Sequence, residues 1–463
     1  MLIYGALVPH PPIILEGIGK EETKKAAETV KAMKRLRERV GSFSPETFLL
    51  FSPHGPVFRD GLAIRGEEKL KGNLASFGLK QNWEWENDQE LIQAIIKETS
   101  AAGLSCLELT DELRFRYRLS GELDHGVLVP LSFLATQSCR LVATGMSLLP
   151  WPEQYALGVA IGRAVRSLPR RIAVIASGDL SHCLIPGAPV PYDPRGKEFD
   201  LALISLLQEN KIEKIFSMEP ILVEKAAECG FRTLLMLLGV FDGLKISIDI
   251  LCYEGPFGVG YAVAGFRPGA HDDSHQDLFL KLINQRKKDI INRRVKESPF
   301  VKLARLTVEN HLLGAKTHLD LELPPEAEKP AGVFVSIKKH GELRGCIGTI
   351  FPTQPNAAEE IRNNAIAAAF QDPRFDPVQE EELDELTYSV DLLKAPEAIQ
   401  GIEELDPKRF GVIVRQGRRT GLLLPNLEGV ETVEEQVAIA KRKAGIGQEE
   451  SVEMERFEVI RYF

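Results

Sequence analysis

Arg171-Ile-Ala-Val-Ile-Ala-Ser-Gly-Asp-Leu-Ser-His182 decides the fold. The apolar run is too short for a helix and stops at a Ser-Gly-Asp turn, so it reads as a buried strand with a histidine just beyond its end. The pattern recurs. Leu2 to Val8 runs into Val8-Pro-His10-Pro-Pro12, Phe48 to Phe51 into Ser52-Pro-His54-Gly-Pro56, and Lys245 to Tyr253 into Tyr253-Glu254-Gly-Pro256. His125 stands in Leu123-Asp124-His-Gly126. In open α/β sheets ligands bind beyond the carboxyl ends of the strands, so these residues, distant in sequence, are expected to converge.

Between the strands lie helical patterns. Glu21 to Val40 places Ala26, Val30, Met33 and Leu36 on one face, further helices are expected over Asp88 to Ala102, Val127 to Thr136 and Glu153 to Ser167, and two or three helices fill Lys197 to Leu238. A hairpin-like stretch is expected from Leu62 to Phe77, short strands near Cys106 and Leu141, and a closing strand from Gly260 to Phe266. Alternating strands and helices make this half α/β, a central sheet flanked by helices.

A chain of 463 residues exceeds what one core organises, so two or more domains are expected. Hydrophobicity drops over Arg267-Pro-Gly-Ala-His-Asp-Asp-Ser-His-Gln-Asp277, which marks the boundary: residues 1–268 form the first domain, 269–284 a linker and helix start, and 285–463 a second. His271, Asp272, Asp273 and His275 have ligand chemistry but are read as a solvated connector. Beyond it, one helix is expected from Leu278 to Leu313, then strands at 332–338, 344–350, 386–393, 411–415 and 420–425, with helices at 357–370 and 431–444. This smaller half reads as α+β.

Composition narrows the function. There are 57 Lys+Arg against 66 Asp+Glu, a formal charge of −9, which argues against nucleic acid as a partner. The six cysteines show neither paired nor regular spacing, so a reducing cytoplasm is expected and no disulfide framework or zinc ribbon. No apolar run approaches the roughly 20 residues that span a bilayer, so no membrane segment is expected. Oligomeric state stays open, a homo-oligomer included.

Two imidazoles and a carboxylate at three strand ends suit a divalent metal, because three protein ligands leave positions for guests. His10, His54 and Glu254 fit that face. His182 and His125 remain for proton work, with Asp179 and Asp124 as orienting partners; an imidazole with an ordinary pKa of about 6.5 can take and return a proton near neutrality. Against this, any one histidine beside prolines is also an ordinary turn residue. Cys252 shares a face with Glu254 if the strand is extended, and Cys183 adjoins His182; either is a redox thiol, a substitute ligand, or simply a small apolar residue. Trp83, Trp85 and Phe115 line a substrate pocket or are ordinary packing.

These motifs, in this order, resemble the catalytic subunit of class III extradiol ring-cleavage dioxygenases, the LigB-like fold that also contains Memo proteins; the likeness covers about residues 1–266. It implies Fe(II), or another divalent ion such as Zn, on His10, His54 and Glu254, with His182 as acid–base and His125 on substrate or oxygen, acting on a catechol-like aromatic diol and O₂. Memo proteins carry a cysteine in place of the carboxylate ligand, and Glu254 makes this chain look like the dioxygenase type. In the second half, Gly341-Glu-Leu-Arg344-Gly-Cys346-Ile-Gly348, Phe370-Gln-Asp-Pro-Arg-Phe375, Tyr388-Ser-Val-Asp-Leu-Leu393 and Gly421-Leu-Leu-Leu-Pro425 resemble the AMMECR family over about 286–463. Arg344 offers a guanidinium for an anion and Cys346 a thiol, the alternative for Cys346 being a structural strand turn. The fusion resembles the AmmeMemoRadiSam system, which implies a radical SAM protein as partner; the other reading of the chain is then a metal-binding adaptor or modification-system component without ring cleavage.

Overall fold

In the computed structural model, which describes residues 1–135, 138–272, 278–314, 321–339, 341–427 and 429–463, the polypeptide divides into two units between Ile283 and Asn284. Among the described residues the first unit holds ten strands: β1 Leu2–Val8, β2 Thr47–Phe51, β3 Gly61–Arg65, β4 Lys69–Leu74, β5 Leu79–Glu86, β6 Ser105–Leu109, β7 Arg140–Thr144, β8 Ile172–Ser177, β9 Leu244–Glu254 and β10 Tyr261–His271. Eight of them form one mixed sheet in the order β6-β3-β7-β2-β8-β1-β10-β9. Its centre is parallel: β8 pairs with β1 on one side and β2 on the other, and β2 with β7. Every residue of β1, β2 and β8 is buried, which is why these strands read as unbroken apolar runs.

Two cores cover the two faces of that sheet. Leu7, Leu49 and Val174 face one, packed with Leu157, Ile161, Leu234 and Phe266, while Ala6, Leu50 and Ile175 face the other, with Met33, Leu36 and Leu128. The alternation follows from the period of two along a strand. Fully burying a side chain of this size contributes about 1.5–3 kcal/mol, so the central strands anchor the carboxyl edge from which the site is built.

Three local expectations differ. The stretch from Leu62 is not a hairpin: β3 joins the main sheet against β6 and β7, and the two-stranded ribbon is β4 with β5. Residues 269–271, expected in the linker, belong to β10, which continues to His271 in register with Leu244 of β9. Their polar, exposed character reflects a ribbon in solvent, which hydropathy does not separate from a connector. Asp273 and His275 lie outside the described residues. The helix expected over 278–313 is two, Leu278–Val295 and Pro299–Leu313, because Pro299 has no N–H to continue the first and Ser298 Oγ caps the second by accepting from Val301 N at 3.3 Å.

The second unit contains β11 Gly332–Lys339, β12 Glu342–Thr349, β13 Leu386–Leu393, β14 Glu397–Ile399, β15 Phe410–Gln416, β16 Arg419–Leu423 and β17 Glu453–Tyr462, in the order β12-β11-β13-β17-β15-β16 with β14 beside β17. The helices Pro299–Leu313 and Ala357–Phe370 pack on the β11 and β13 face through Phe300, Leu303, Ile361 and Ala365. β17 was not expected from sequence. Its alternating charges read as polar chain, yet they are matched across strands: Arg461 with Asp391, Glu458 with Arg409, and Glu455 with Arg415.

Candidate metal centre

Parallel pairing of β1, β8 and β2 sets the site. Val8 lies opposite Ser177, and Phe51 opposite Ala176, so the segments that follow β1 and β2 leave the sheet on either side of β8 at one edge. His10 and His54 sit on those segments. His125 opens the helix His125–Leu134, and its ring lies 4.2 Å from that of His54 and 5.3 Å from that of His10, centroid to centroid. The ligand atoms of His10, His54 and His125 all fall within 4.8 Å of one another.

The tautomer of His10 is fixed by its neighbours. Ser177 Oγ donates to Gly126 O at 2.6 Å, so at its 3.0 Å contact with His10 Nδ1 the hydroxyl accepts and Nδ1 carries the proton. Nε2 therefore presents a lone pair, and it faces His54 Nε2 at 2.9 Å. Two nitrogens at that spacing, each about 2.1 Å from an ion, subtend about 90°, the angle between adjacent positions of an octahedral face. All four imidazoles of this region are held below the ordinary histidine range by burial, and His10 further by the neighbouring His54, His125 and His182. Neutral rings with converging lone pairs are what a divalent cation requires, so the residues fit a metal.

Backbone geometry makes room for this convergence. A Cβ on Gly126 would lie 2.4 Å from Ser52 Oγ and 2.8 Å from Asp124 Oδ1. Asp124 itself accepts from Ser52 Oγ at 2.6 Å, tying the His54 loop to the start of the His125 helix. Asp179 is buried and accepts the backbone N–H of His10 at 3.1 Å; its carboxyl oxygen stands 3.9 Å from His10 Nε2. Burial pushes the Asp179 carboxyl up to about 7, with the His10 N–H drawing it back down.

Among the described residues, Glu254 is not in the group whose ligand atoms lie within 4.8 Å of one another, and its carboxylate has other partners. Its Oε1 accepts the backbone N–H of Thr29 at 2.7 Å and the Thr29 hydroxyl at 2.6 Å. Thr29 belongs to the first turn of the helix Ala27–Gly41, whose N–H groups lack partners within the helix, so the carboxylate is captured by a helix terminus. Cys252 lies on the same side of β9, its thiol pushed up to about 11 chiefly by burial. Both residues share a face, as the strand period requires, but it is the face toward that helix.

The residue that sequence reading missed is Cys229. Its Sγ lies 3.8 Å from His10 Nε2 and 3.7 Å from His182 Nε2. It sits in the turn before the helix Phe231–Val240, held there by backbone hydrogen bonds from Cys229 and Gly230 to Asp179 O. A Cβ on Gly178 would meet Gly230 Cα at 2.1 Å, so the glycine pair permits the close approach. Burial first, then the Asp179 charge, pushes the Cys229 thiol well above its usual range, so it stays protonated unless a cation sits beside it. The available sequence signal was Cys-Gly ahead of an apolar helix, on a helix turn and not at a strand end.

The remaining candidates fall elsewhere. Cys183 is buried, with Sγ 3.4 Å from Lys225 O. Trp83 and Trp85 belong to the core, Phe115 is 88% exposed, and the aromatic ring beside His125 is Phe77, at 5.4 Å. In the second unit Arg344 is not free for an anion: both its Nε and Nη2 donate to Glu382, at 3.0 and 2.9 Å, and Nη1 to Asp376 O.

A sheet with paired histidines at its carboxyl edge, followed by a separate β-rich unit, defines a class of two-domain proteins. Residues 4–264 match the family model for the catalytic LigB subunit of aromatic ring-opening dioxygenase, and residues 301–462 match that for AMMECR1. The chain belongs to the LigB family, in the architecture that fuses a LigB/Memo-like domain to an AMMECR domain. A protein of Clostridium acetobutylicum is 38% identical over 465 residues, covering 98% of each chain. A protein of Thermotoga maritima is 54% identical over 170 residues, 36% of this chain and 98% of its own, so a stretch of that size stands there as a whole protein. Among solved structures, an uncharacterized protein of Pyrococcus horikoshii is 34% identical with a TM-score of 0.33, covering 35% of this chain and 88% of its own. Another from Escherichia coli K12 is 16% identical with a TM-score of 0.41, covering 57% and 99%.

Proposed function

We propose that the first domain is a divalent-metal oxidoreductase centre, with Fe(II) as its working ion and Zn as an alternative occupant, acting on a small aromatic diol with O₂. The observation that carries this is the 2.9 Å approach of His10 Nε2 to His54 Nε2, with the His10 tautomer held by Ser177. His10 and His54 would hold the ion, with His125 or Cys229 as third donor. A bound ion would supply Lewis acidity, lowering the pKa of a bound diol hydroxyl. His182, neutral at pH 7 because burial holds its pKa down, would accept that proton and return it later. Phe77, against His125, would offer a ring face to an aromatic guest.

Cys229 favours a second reading. A thiol stands where the carboxylate was expected, the arrangement that distinguishes Memo proteins by the resemblance above. Here the ion would rest on two imidazoles and a thiolate, and the chain would serve a modification system with a radical SAM protein without ring cleavage. Fold does not decide between them. Oxygen uptake by the Fe(II)-reconstituted full chain with a panel of catechols does: uptake that disappears in His182→Ala supports the dioxygenase, while no uptake from iron-loaded protein that binds a radical SAM partner supports the second reading.

A further inference from the structure

The second unit has an open cavity of about 900 Å³ that the metal centre does not use. Its wall includes the three-strand row Cys346, Ser336 and Ser389, since Ser336 pairs with Cys346 on β12 and with Ser389 on β13. Ser336 Oγ lies 3.2 Å from Cys346 Sγ, placed to donate to sulfur. Beside the row, Phe334, Leu422, Leu424 and Leu427 supply an apolar wall.

Charge in this space is one-sided. Seven lining side chains are cationic and two anionic, Glu297 and Asp391. Arg374 donates to Cys346 O at 3.0 Å and is held by Asp372, which also accepts Cys346 N–H at 2.9 Å. Arg461 pairs with Asp391. Arg374, Lys443 and Arg461 line the cavity together with Cys346. Lys443 has no hydrogen-bond or ion-pair partner among the described residues, so its charge is available to a guest.

The opposite face of β13 carries a buried hydroxyl, on the side of Ile337, Phe300 and Leu303. It belongs to Tyr388, 6% exposed, and has no hydrogen-bond partner among the described residues. A buried hydroxyl left without a partner is costly, and such groups are normally satisfied. The topology makes the opening: β17 pairs with β13 only from Val390 to Leu393, so Leu386–Ser389 border the cavity.

We infer that this cavity binds a small organic anion with an apolar body, its charged group on Lys443 and Arg374 and its chain against Phe334, Leu422 and Leu424, with the Cys346 thiol at the anion's side. A carboxylate or a phosphate would supply the same charge, and the probes separate the two. The full chain is alkylated at Cys346 with iodoacetate or iodoacetamide and mapped by mass spectrometry, with octanoate, octyl phosphate, octyl glucoside or inorganic phosphate as protectant. Octanoate or octyl phosphate should slow alkylation at least fivefold at a concentration where octyl glucoside and inorganic phosphate do not. Lys443→Gln should lower the iodoacetate-to-iodoacetamide rate ratio about three- to tenfold, as expected for one charge near the thiol. Equal protection by the neutral and charged amphiphiles, or an unchanged rate ratio in Lys443→Gln, would overturn the inference.

Discussion

Replacing Glu254 tests the most consequential local result, that this carboxylate caps a helix. Oε1 takes two hydrogen bonds from Thr29, at 2.7 and 2.6 Å, at the positive end of the helix Ala27–Gly41. Hydrogen bonds to a charged acceptor contribute about 1.5–3 kcal/mol each, and the helix-terminus charge a further 0.3–1 kcal/mol or so. Because the contact is only partly buried and water can replace the acceptor, Glu254→Ala should cost about 2–3 kcal/mol, and Glu254→Gln, which keeps a neutral acceptor, about 1 kcal/mol. At roughly 2–4 °C per kcal/mol for a unit of this size, the alanine variant should melt roughly 4–12 °C lower. Scanning calorimetry of the full chain reads that shift, and elemental analysis after anaerobic Fe(II) or Zn(II) reconstitution reads metal content. Metal stoichiometry should match the parent in both variants and fall in His10→Ala. Loss of metal from Glu254→Gln with an unchanged melting temperature would refute the cap and restore the carboxylate as a ligand.

Other outcomes follow from the same geometry. His54→Ala should lose the metal, whereas His182→Ala should keep it and lose turnover; equal metal content and equal activity in the two would contradict the division of roles. Asp200 accepts from Ser181 N and Tyr253 OH at 2.8 Å each, and burial raises its carboxyl to about 6 from the ordinary 3.8. Its folded pKa lies above its unfolded one, so its contribution is complete below about pH 4 and is lost as pH rises through 6. The stability difference between parent and Asp200→Asn should therefore fall by about 1.4 kcal/mol per pH unit across that window and level off above it; parallel denaturation profiles from pH 4 to 7 would contradict this. Gly126→Ala should destabilise by about 1–3 kcal/mol and weaken metal binding, because its Cβ would meet Ser52 Oγ; unchanged metal affinity by competition titration would count against the packing argument. A chain ending at Ile283 should fold and bind metal, since Leu278, Phe279 and Leu282 pack on the first core; aggregation of that fragment would show that the units depend on each other.

Much of the site was legible because its signal is local. A short apolar run, a turn and a histidine identify the strand ends at His10, His54 and His182 without knowledge of what packs where. The ligand set was less legible. Assigning Glu254 rested on its position after β9, but β9 is an edge strand beyond β10, and its carboxylate reaches a helix 225 residues away in sequence. The strand β17 was missed for a related reason: its charges look solvent-facing until their cross-strand partners are known.

By itself, the sequence determined that strands and helices alternate in the first half, that a distinct β-rich half follows, and that histidines gather at strand ends. Only the tertiary structure decided which side chains meet. Burial and periodicity are written in neighbouring residues. Where the Glu254 and Cys229 side chains lie depends on which long-range partner each finds: a helix terminus holds the carboxylate, while a Gly178–Gly230 contact brings the thiol beside His10 and His182.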